Sequence, residues 1–408
     1  MRYKALSAVY LAESGLRRRI PTSTYFTHRV SQAIQVRNRN WYSEISSNLP
    51  TTTSPTPQQP KMKAFVTVEG RTAAVREIAK PTPSAGEILV RVHYAAQNPT
   101  DWKSVPGRPP GRIVGCDFAG TVADANGSAW RVGQRVAGFV YGTMADPLRG
   151  AYAEYLVAEP SLVFAVPDEV SLRDASTISL ALATAVQALF QRLGLPESGA
   201  SGSALPILIN GATSSVGLYA VQLAKLAGLY VIATGSERNH GLLKDLGADV
   251  VVDYNDAAWP SKVRELTHDN LQHALDTIAE KATTESVARA ISPTKGGHVL
   301  CILPRKSAEL PADLGHVKVE STIVYTVFGH AIDLKGAPFD NWGGPTPQDR
   351  TFWEQWIARL PKLLAAGTIR ANPSRELGGL ETVAEGFELQ KQGKIRAQKL
   401  VYKIASEE

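Results

Sequence analysis

Residues 207–217 read ILINGATSSVG. An apolar run stops at Gly211, passes small residues, and meets a second glycine, Gly217, six positions on. The preceding PILIN has the make-up of a buried strand, and the following VGLYAVQLAKLAG has helical spacing. Strand, glycine turn and helix in that order let phosphate approach the backbone and meet the free N–H groups of a helix N-terminus. Gly211 makes the turn. Thr213, Ser214 and Ser215 carry hydroxyls able to donate to phosphate, Val216 lies in the first helical turn, and Gly217 lets helix and strand pack. The spacing is G-x-x-S-x-x-G rather than G-x-G-x-x-G, so the context carries the dinucleotide reading. A glycine-bounded turn without a ligand is the alternative.

From about 205 onward, strands alternate with helices. YVIATG is followed by a helix through HGLLKDLGA, then VVVDY, HALDTI, a helix through TTESVARAI, and HVLCIL. This alternation predicts a doubly wound parallel sheet of Rossmann type, an α/β fold. From 62 to about 170 the pattern is instead short strands and turns, among them KAFVTVEG, EILVRVHYAA, FAGTVADA, QRVAGFVYG and AYAEYLVAE. A helix through FWEQWIARLPKLLAAG and the strand QKLVYKI close the chain and are expected to return to the β-rich unit. The expected layout is an extension over 1–61, a β-rich domain over 62–183 completed by 340–408, and a dinucleotide domain over 184–339.

An NAD site usually carries an acid about 20 residues beyond the turn, at the end of the second strand. Here that end reads ATGSERN, with Gly235 and Ser236 at the position and Arg238 after it. A hydroxyl and a guanidinium favour the 2′-phosphate of NADPH. Glu237 is the competing reading, either as the NAD-type acid one residue away or as an ordinary acid in a first helical turn.

The chain of 408 residues has a net charge of +6, and residues 1–60 account for all of it, with eight basic and two acidic side chains. The remainder is charge-balanced, which argues against nucleic acid as a partner. No apolar run reaches the roughly 18 residues of a membrane span. Residues 1–60 are Arg- and Ser-rich and end in PTTTSPTPQQP. They read either as a mitochondrial transit peptide or as an extension ahead of a true start at Met62. The first places the protein in mitochondria, the second in the cytoplasm. Two cysteines, Cys116 and Cys301, are too few for a disulfide framework. There is no C-x-x-C and no H-x-x-x-H among the eight histidines, so no zinc site is expected and Cys116 beside Asp117 reads as a buried thiol next to a turn. A monomer and a homodimer both remain open.

The segments PTPSAGEILVRVHYAAQNPTDWK, GCDFAGTV, VGQRVAGFVYG, GAYAEYLV, NGATSSVG and KLVYKI resemble the zinc-free branch of the medium-chain dehydrogenase/reductase family. That branch joins a GroES-like β-rich domain to a Rossmann domain and includes quinone oxidoreductases and enoyl reductases. Metal-dependent members carry a zinc-binding Cys and a Gly-His-Glu where this chain has Asn98-Pro99 and Gly115-Cys116-Asp117. NPTDWK, IATGSERN, VVDYND, ALDTI and TVFGHAIDLKGAP are similar to fungal trans-acting enoyl reductases, which serve polyketide synthases.

The resemblance implies NADPH and site residues as follows. Thr100, Asp101, Trp102 and Lys103 flank the nicotinamide half, and Thr213, Ser214, Ser215 and Val216 hold the pyrophosphate. Ser236, Glu237, Arg238 and Asn239 surround the 2′-phosphate, with Tyr254 near the adenosine. Leu303 and Pro304 offer backbone groups to the carboxamide, and Ile395 and Arg396 close the site. Thr184, Phe328, Gly329, His330, Ala331 and Ile332 line the acyl pocket. The implied reaction is zinc-independent hydride transfer to the β-carbon of a carrier-bound enoyl thioester, with a polyketide synthase as the possible partner. Lys103 is the candidate proton donor, or else holds only the cofactor. Quinone or small-enone reduction and non-catalytic NADPH sensing are the alternatives.

Overall fold

The computed structural model describes residues 59–143, 148–198, 205–330, 332 and 346–407. The readings of residues 1–58 as an extension or transit peptide, and the reading of Ala331 as a pocket residue, lie outside them. Residues 59 onward form a compact unit.

The first half is built of β1 (Lys61–Val68), β2 (Thr72–Ala79), β3 (Ile88–Ala96), β4 (Asp117–Asp124), β5 (Arg135–Phe139), β6 (Tyr155–Ala158) and β7 (Val163–Ala165), with the short helix α1 (Pro99–Ser104) after β3. Two short helices, α2 (Leu172–Ala175) and α3 (Ser179–Val186), lead out of it. The second half alternates β8 (Pro206–Asn210), α4 (Ser215–Leu226), β9 (Tyr230–Thr234), α5 (His240–Asp245), β10 (Val250–Val252), α6 (Trp259–Leu266), β11 (His273–Asp276), α7 (Lys281–Ala290), β12 (Gly297–Cys301) and β13 (Val317–Ser321). The chain then runs through α8 (Pro347–Ala365), β14 (Ser374–Gly378), α9 (Val383–Lys391) and β15 (Lys399–Lys403).

The second half forms a six-stranded parallel sheet in the order β10-β9-β8-β11-β12-β13. All five residues of β8 are buried, as a central strand covered on both faces requires. The strand order reverses between β8 and β11, and the turn after β8 opens at that switch point. The sixth strand, VKVES, has no buried-strand signature. It alternates buried Val317 and Val319 with exposed Lys318 and Glu320, as suits a charged sheet edge.

The seven-stranded sheet runs β14-β15-β3-β4-β5-β7, with β6 also on β3. The last strand, β15, pairs antiparallel with β3, placing Val401 opposite Ala96. A single hydrophobic cluster crosses from this sheet to the parallel one, joining Tyr94, Phe139 and Val401 to Tyr219, Leu275 and Trp353. The two sheets therefore share one core.

Candidate active site

The turn after β8 shows what lies so close to Gly211. Its φ is +67°, and a Cβ there would come within 2.6 Å of the Thr277 hydroxyl and the Ile278 side chain. A protein loop fills that space. At Gly217 a Cβ would lie 2.5 Å from the carbonyl oxygen of Gly211, so α4 packs backbone to backbone on the turn. Behind the turn is a buried polar network. The Gly211 N–H donates to the Thr234 hydroxyl (2.9 Å), which donates to Asn210 (2.8 Å), whose amide donates to Asp276 (2.9 Å). Asp276 is fully buried and is satisfied further by the hydroxyls of Thr283 and Thr284. This carboxylate, at the end of an apolar strand in HALDTI, is a positioning group that the sequence reading leaves out.

Ser214 caps α4: its hydroxyl accepts from the Gly217 N–H at 2.9 Å and donates to Thr277 at 2.8 Å. It is occupied within the fold. Among the described residues the hydroxyls of Thr213 and Ser215 have no protein partner, and the first N–H groups of α4, at Ser215 and Val216, have no intrahelical acceptor. These are the groups left for phosphate.

The other carboxyl ends of the parallel strands line up beside this turn. Ser236 follows β9, and its hydroxyl accepts from the Asn239 amide at 3.0 Å. Glu237 and Arg238 are exposed, and neither has a hydrogen bond or ion pair from its side chain to a described residue. Tyr254 after β10, Ile278 after β11 and Leu303 after β12 are large apolar side chains left 47%, 38% and 38% exposed. Three uncovered apolar groups along one rim form a surface on which a ligand can lie. Pro304 is exposed beside Leu303.

The short helix α1 follows β3 of the seven-stranded sheet. Asn98 and Asp101 form its capping box, and Pro99 takes the first position, where a missing N–H costs nothing. Thr100 and Lys103 are three apart and share a face. Thr100 is half-buried, and its hydroxyl meets that of Tyr325 at 2.9 Å, the hydrogen able to sit on either oxygen. Lys103 is exposed, its ammonium 5.6 Å from the Trp102 ring centroid. Trp102 donates its indole N–H to Gln390 at 3.0 Å.

Asp101 faces inward. Its carboxylate is buried, accepting from the Asn98 N–H and the Tyr152 hydroxyl, each at 2.7 Å, so it holds the loop and is closed to a ligand. Burial raises its pKa to about 6. The second carboxylate oxygen faces the Cys116 thiol, with no partner at hydrogen-bonding geometry among the described residues.

Beside the Thr100 hydroxyl stands an aromatic stack. Tyr141 and Tyr325 lie face to face with centroids 3.6 Å apart, and Phe328 continues the series 6.5 Å from Tyr325. Gly329 follows with φ +75°, and exposed His330 lies 6.0 Å from the Phe328 ring. Ile332 is buried in the shared core. Thr184 is buried on α3, and its hydroxyl back-bonds to the Leu180 carbonyl at 2.8 Å. Ile395 and Arg396 sit in the turn before β15, where the Arg396 guanidinium donates to the Gly393 carbonyl at 3.2 Å. No hydrogen bond or ion pair joins them to the β8 turn or to α1 among the described residues. Tyr141, Tyr325 and Gln187 are absent from the sequence reading, because a tyrosine inside IVYTVF and a glutamine inside TAVQAL look like ordinary core.

Two family models match this chain: an alcohol dehydrogenase GroES-like domain over 84–168 and a zinc-binding dehydrogenase over 215–337. The trans-enoyl reductase thnE of Trichoderma harzianum is 33% identical over 369 residues, covering 85% of this chain and 98% of that protein. The trans-enoyl reductase ACTTS2 of Alternaria alternata is 35% identical over 350 residues, covering 84% and 98%. This chain belongs to the medium-chain dehydrogenase/reductase family. The fold of a Coxiella burnetii quinone oxidoreductase agrees, at a TM-score of 0.62 and 21% identity over 85% of this chain and all of that one. A Novosphingobium aromaticivorans alcohol dehydrogenase superfamily protein agrees at 0.69 and 22%, over 84% and all of that chain. As a member of that family the protein is an oxidoreductase using a nicotinamide cofactor, and the free hydroxyls, helix terminus and apolar rim at the β8 switch point fit one.

Zinc, which the second family model's description implies, does not fit the residues in this dehydrogenase/reductase. Among the described residues no group of three or more His, Cys, Asp or Glu is placed to hold a metal ion. Asn98 donates its amide to Asp117 at 2.9 Å, and the buried Lys399 ammonium pairs with the same carboxylate. The other Asp117 oxygen accepts from the Leu180 N–H at 2.8 Å. Cys116 is held as a thiol, its pKa pushed well up by burial. Ion pair and amide occupy the carboxylate that a cation would need.

Proposed function

We propose that this chain is an NADPH-dependent, zinc-independent enoyl reductase that reduces an α,β-unsaturated thioester presented by a polyketide synthase. One observation carries the reading: at the switch point of the parallel sheet the turn after β8 leaves the hydroxyls of Thr213 and Ser215 and the start of α4 without protein partners among the described residues, while the Thr100 hydroxyl on α1 meets Tyr325, in the segment after β13, at 2.9 Å. The names of the Trichoderma and Alternaria relatives support the reaction class. The division into a dinucleotide domain over 184–339 and a β-rich domain over 62–183 completed by 340–408 is part of this reading.

The nicotinamide, when bound, supplies a hydride to the β-carbon of the enoyl group. The protein's part is binding, orientation and charge. Thr213, Ser215 and the start of α4 hold the pyrophosphate. Arg238, unpaired among the described residues, meets the 2′-phosphate with Ser236 and Asn239, while Tyr254 and Leu303 cover the adenosine and nicotinamide ends. Lys103 brings positive charge to the side where the thioester oxygen gains negative charge, which donors aimed there must stabilise. Phe328 and Tyr141 offer an apolar wall to the acyl chain.

The test mixes purified protein and NADPH with an enoyl pantetheine thioester, a quinone, or no acceptor, and follows NADPH absorbance. Thioester turnover well above quinone turnover is expected. Turnover of quinone alone identifies a quinone reductase, and tight NADPH binding without turnover identifies a sensor; either contradicts the reading.

A further inference from the structure

Hydride attack on an enoyl thioester drives negative charge onto the thioester oxygen, and a donor fixed in place before the reaction stabilises that charge best. Lys103 supplies positive charge, yet its ammonium is exposed and hydrogen-bonded to no described group. Tyr141, just past β5, is fixed. The Val140 N–H donates to the Cys116 carbonyl at 3.0 Å, and the Thr143 N–H donates to the Ile113 carbonyl at 2.8 Å. A Cβ on Gly142 would lie 2.2 Å from the Gly115 carbonyl oxygen, so the segment rests directly on neighbouring backbone. The Thr143 hydroxyl donates to that of Ser104, the last residue of α1, at 2.9 Å. The Tyr141 ring itself lies flat on Tyr325. The two stacked phenols differ in one respect. The Tyr325 hydroxyl meets Thr100 at 2.9 Å and the Cys116 sulfur at 3.7 Å. The Tyr141 hydroxyl has no hydrogen-bond partner among the described residues, although the residue is half-buried. A phenol packed this far into a protein ordinarily finds a partner. Tyr141 packs against the same core cluster as Phe328 and Val216, the latter in the first turn of α4.

We propose that the missing partner is the substrate: the Tyr141 hydroxyl donates to the carbonyl oxygen of the enoyl thioester. This rests on the enoyl reductase reading and deepens it by naming the group that bears the developing charge. No bond at Tyr141 breaks. Its O–H hydrogen-bonds to the thioester oxygen in the bound substrate, and that bond strengthens as hydride addition turns the oxygen into an enolate. Burial pushes the Tyr141 phenol upward in pKa, against a smaller opposing pull from the positive charge of Arg108, so the group stays a donor at neutral pH. Stacking on Tyr325 restricts the ring plane, so the donor is oriented before the substrate arrives. A thioester held there has the Phe328 ring, parallel to Tyr141 at 6.4 Å, available to its acyl chain.

The experiment uses 2-butenoyl pantetheine isotopically labelled at the thioester carbonyl. With NADP⁺ in place of NADPH no hydride is available, and infrared difference spectra read the carbonyl stretch of the bound thioester. The stretch is expected at lower frequency in the wild type than in Tyr141→Phe, which keeps the ring stack and loses only the hydroxyl. With NADPH, Tyr141→Phe is expected to lose about 10²–10³-fold in kcat, the usual effect of removing one such donor, with NADPH affinity unchanged. A wild type that leaves the thioester unreduced overturns the enoyl reductase reading and this inference with it. A wild type that turns over, with kcat kept in Tyr141→Phe, overturns this inference alone. So does a carbonyl stretch that is the same in both proteins. NADPH binding that weakens in step with turnover would put the phenol on the cofactor and overturns it as well.

Discussion

Asp101 carries an unusual burden for a turn residue. Its buried carboxyl titrates near 6 in the fold against an ordinary 3.8, chiefly through desolvation. Between those values the folded state keeps a proton that the unfolded chain has lost. Stability from this group is therefore fully present below the lower value and falls as pH rises through the folded one. The loss amounts to about 2–3 kcal/mol by pH 7. Asp101→Asn should remove that slope, so denaturant titrations of variant and wild type should diverge in the variant's favour from pH 4 to 7. Parallel curves would contradict the assignment. Beyond β9, Arg238→Ala should weaken NADPH binding about ten- to hundredfold through loss of a charge-assisted contact and leave NADH nearly unchanged. Equal losses for both cofactors would remove Arg238 from the 2′-phosphate. The turn at Gly211 was legible in the sequence, as was the need for close packing at Gly217, although Gly217 packs on the turn at Gly211 and Ala212 rather than on the strand. That Thr277 and Ile278 press on Gly211, and that the Ser214 hydroxyl also donates to Thr277, were not: both depend on a loop some 60 residues away.

At the scale of elements, the segment carrying Tyr325 and Phe328 depends on a polar knot. The helix after α3 widens to π spacing over Gln187–Arg192, a geometry common near functional sites. It turns the Gln187 amide toward the hydroxyls of Thr322 and Thr326, which it meets in either amide orientation. Arg192 pairs with buried Asp349 at the start of α8. The widened helix thus holds the short helical turn Val324–Phe328 through Gln187 and is itself tied to α8 through Arg192. Gln187→Ala strands buried hydroxyls and should cost about 1–3 kcal/mol. Hydrogen exchange should quicken on 322–328 more than on β8. Exchange unchanged in that segment would show that packing alone holds it. The parallel strands β8 to β12 were legible because their buried runs are short and glycine-bounded. The widened helix was not, since TAVQALFQR reads as plain apolar core and only tertiary contacts reveal its register.

Over the whole molecule, charge and strand order say different things. The excess positive charge lies in residues 1–60, so the described part offers no broad attraction for polyanions, and cofactor binding there must come from local groups at the switch point. A doubly wound parallel sheet was inferable from alternation, whereas the pairing of β15 with β3 joins residues some 300 apart and carries no local signal beyond a final apolar strand. That return also delivers Lys399 to Asp117, closing the carboxylate to cations. Dialysis against a chelator should therefore leave turnover unchanged, and activity lost on dialysis and restored by zinc would contradict this reading of the pair. The decisive measurement is a calorimetric titration of the purified protein with NADPH and, separately, NADH. Saturable NADPH binding at one site per chain, at least about tenfold tighter than NADH, is expected. No saturable NADPH binding, or tighter binding of NADH, would contradict the phosphate-gripping turn on which the proposed function rests.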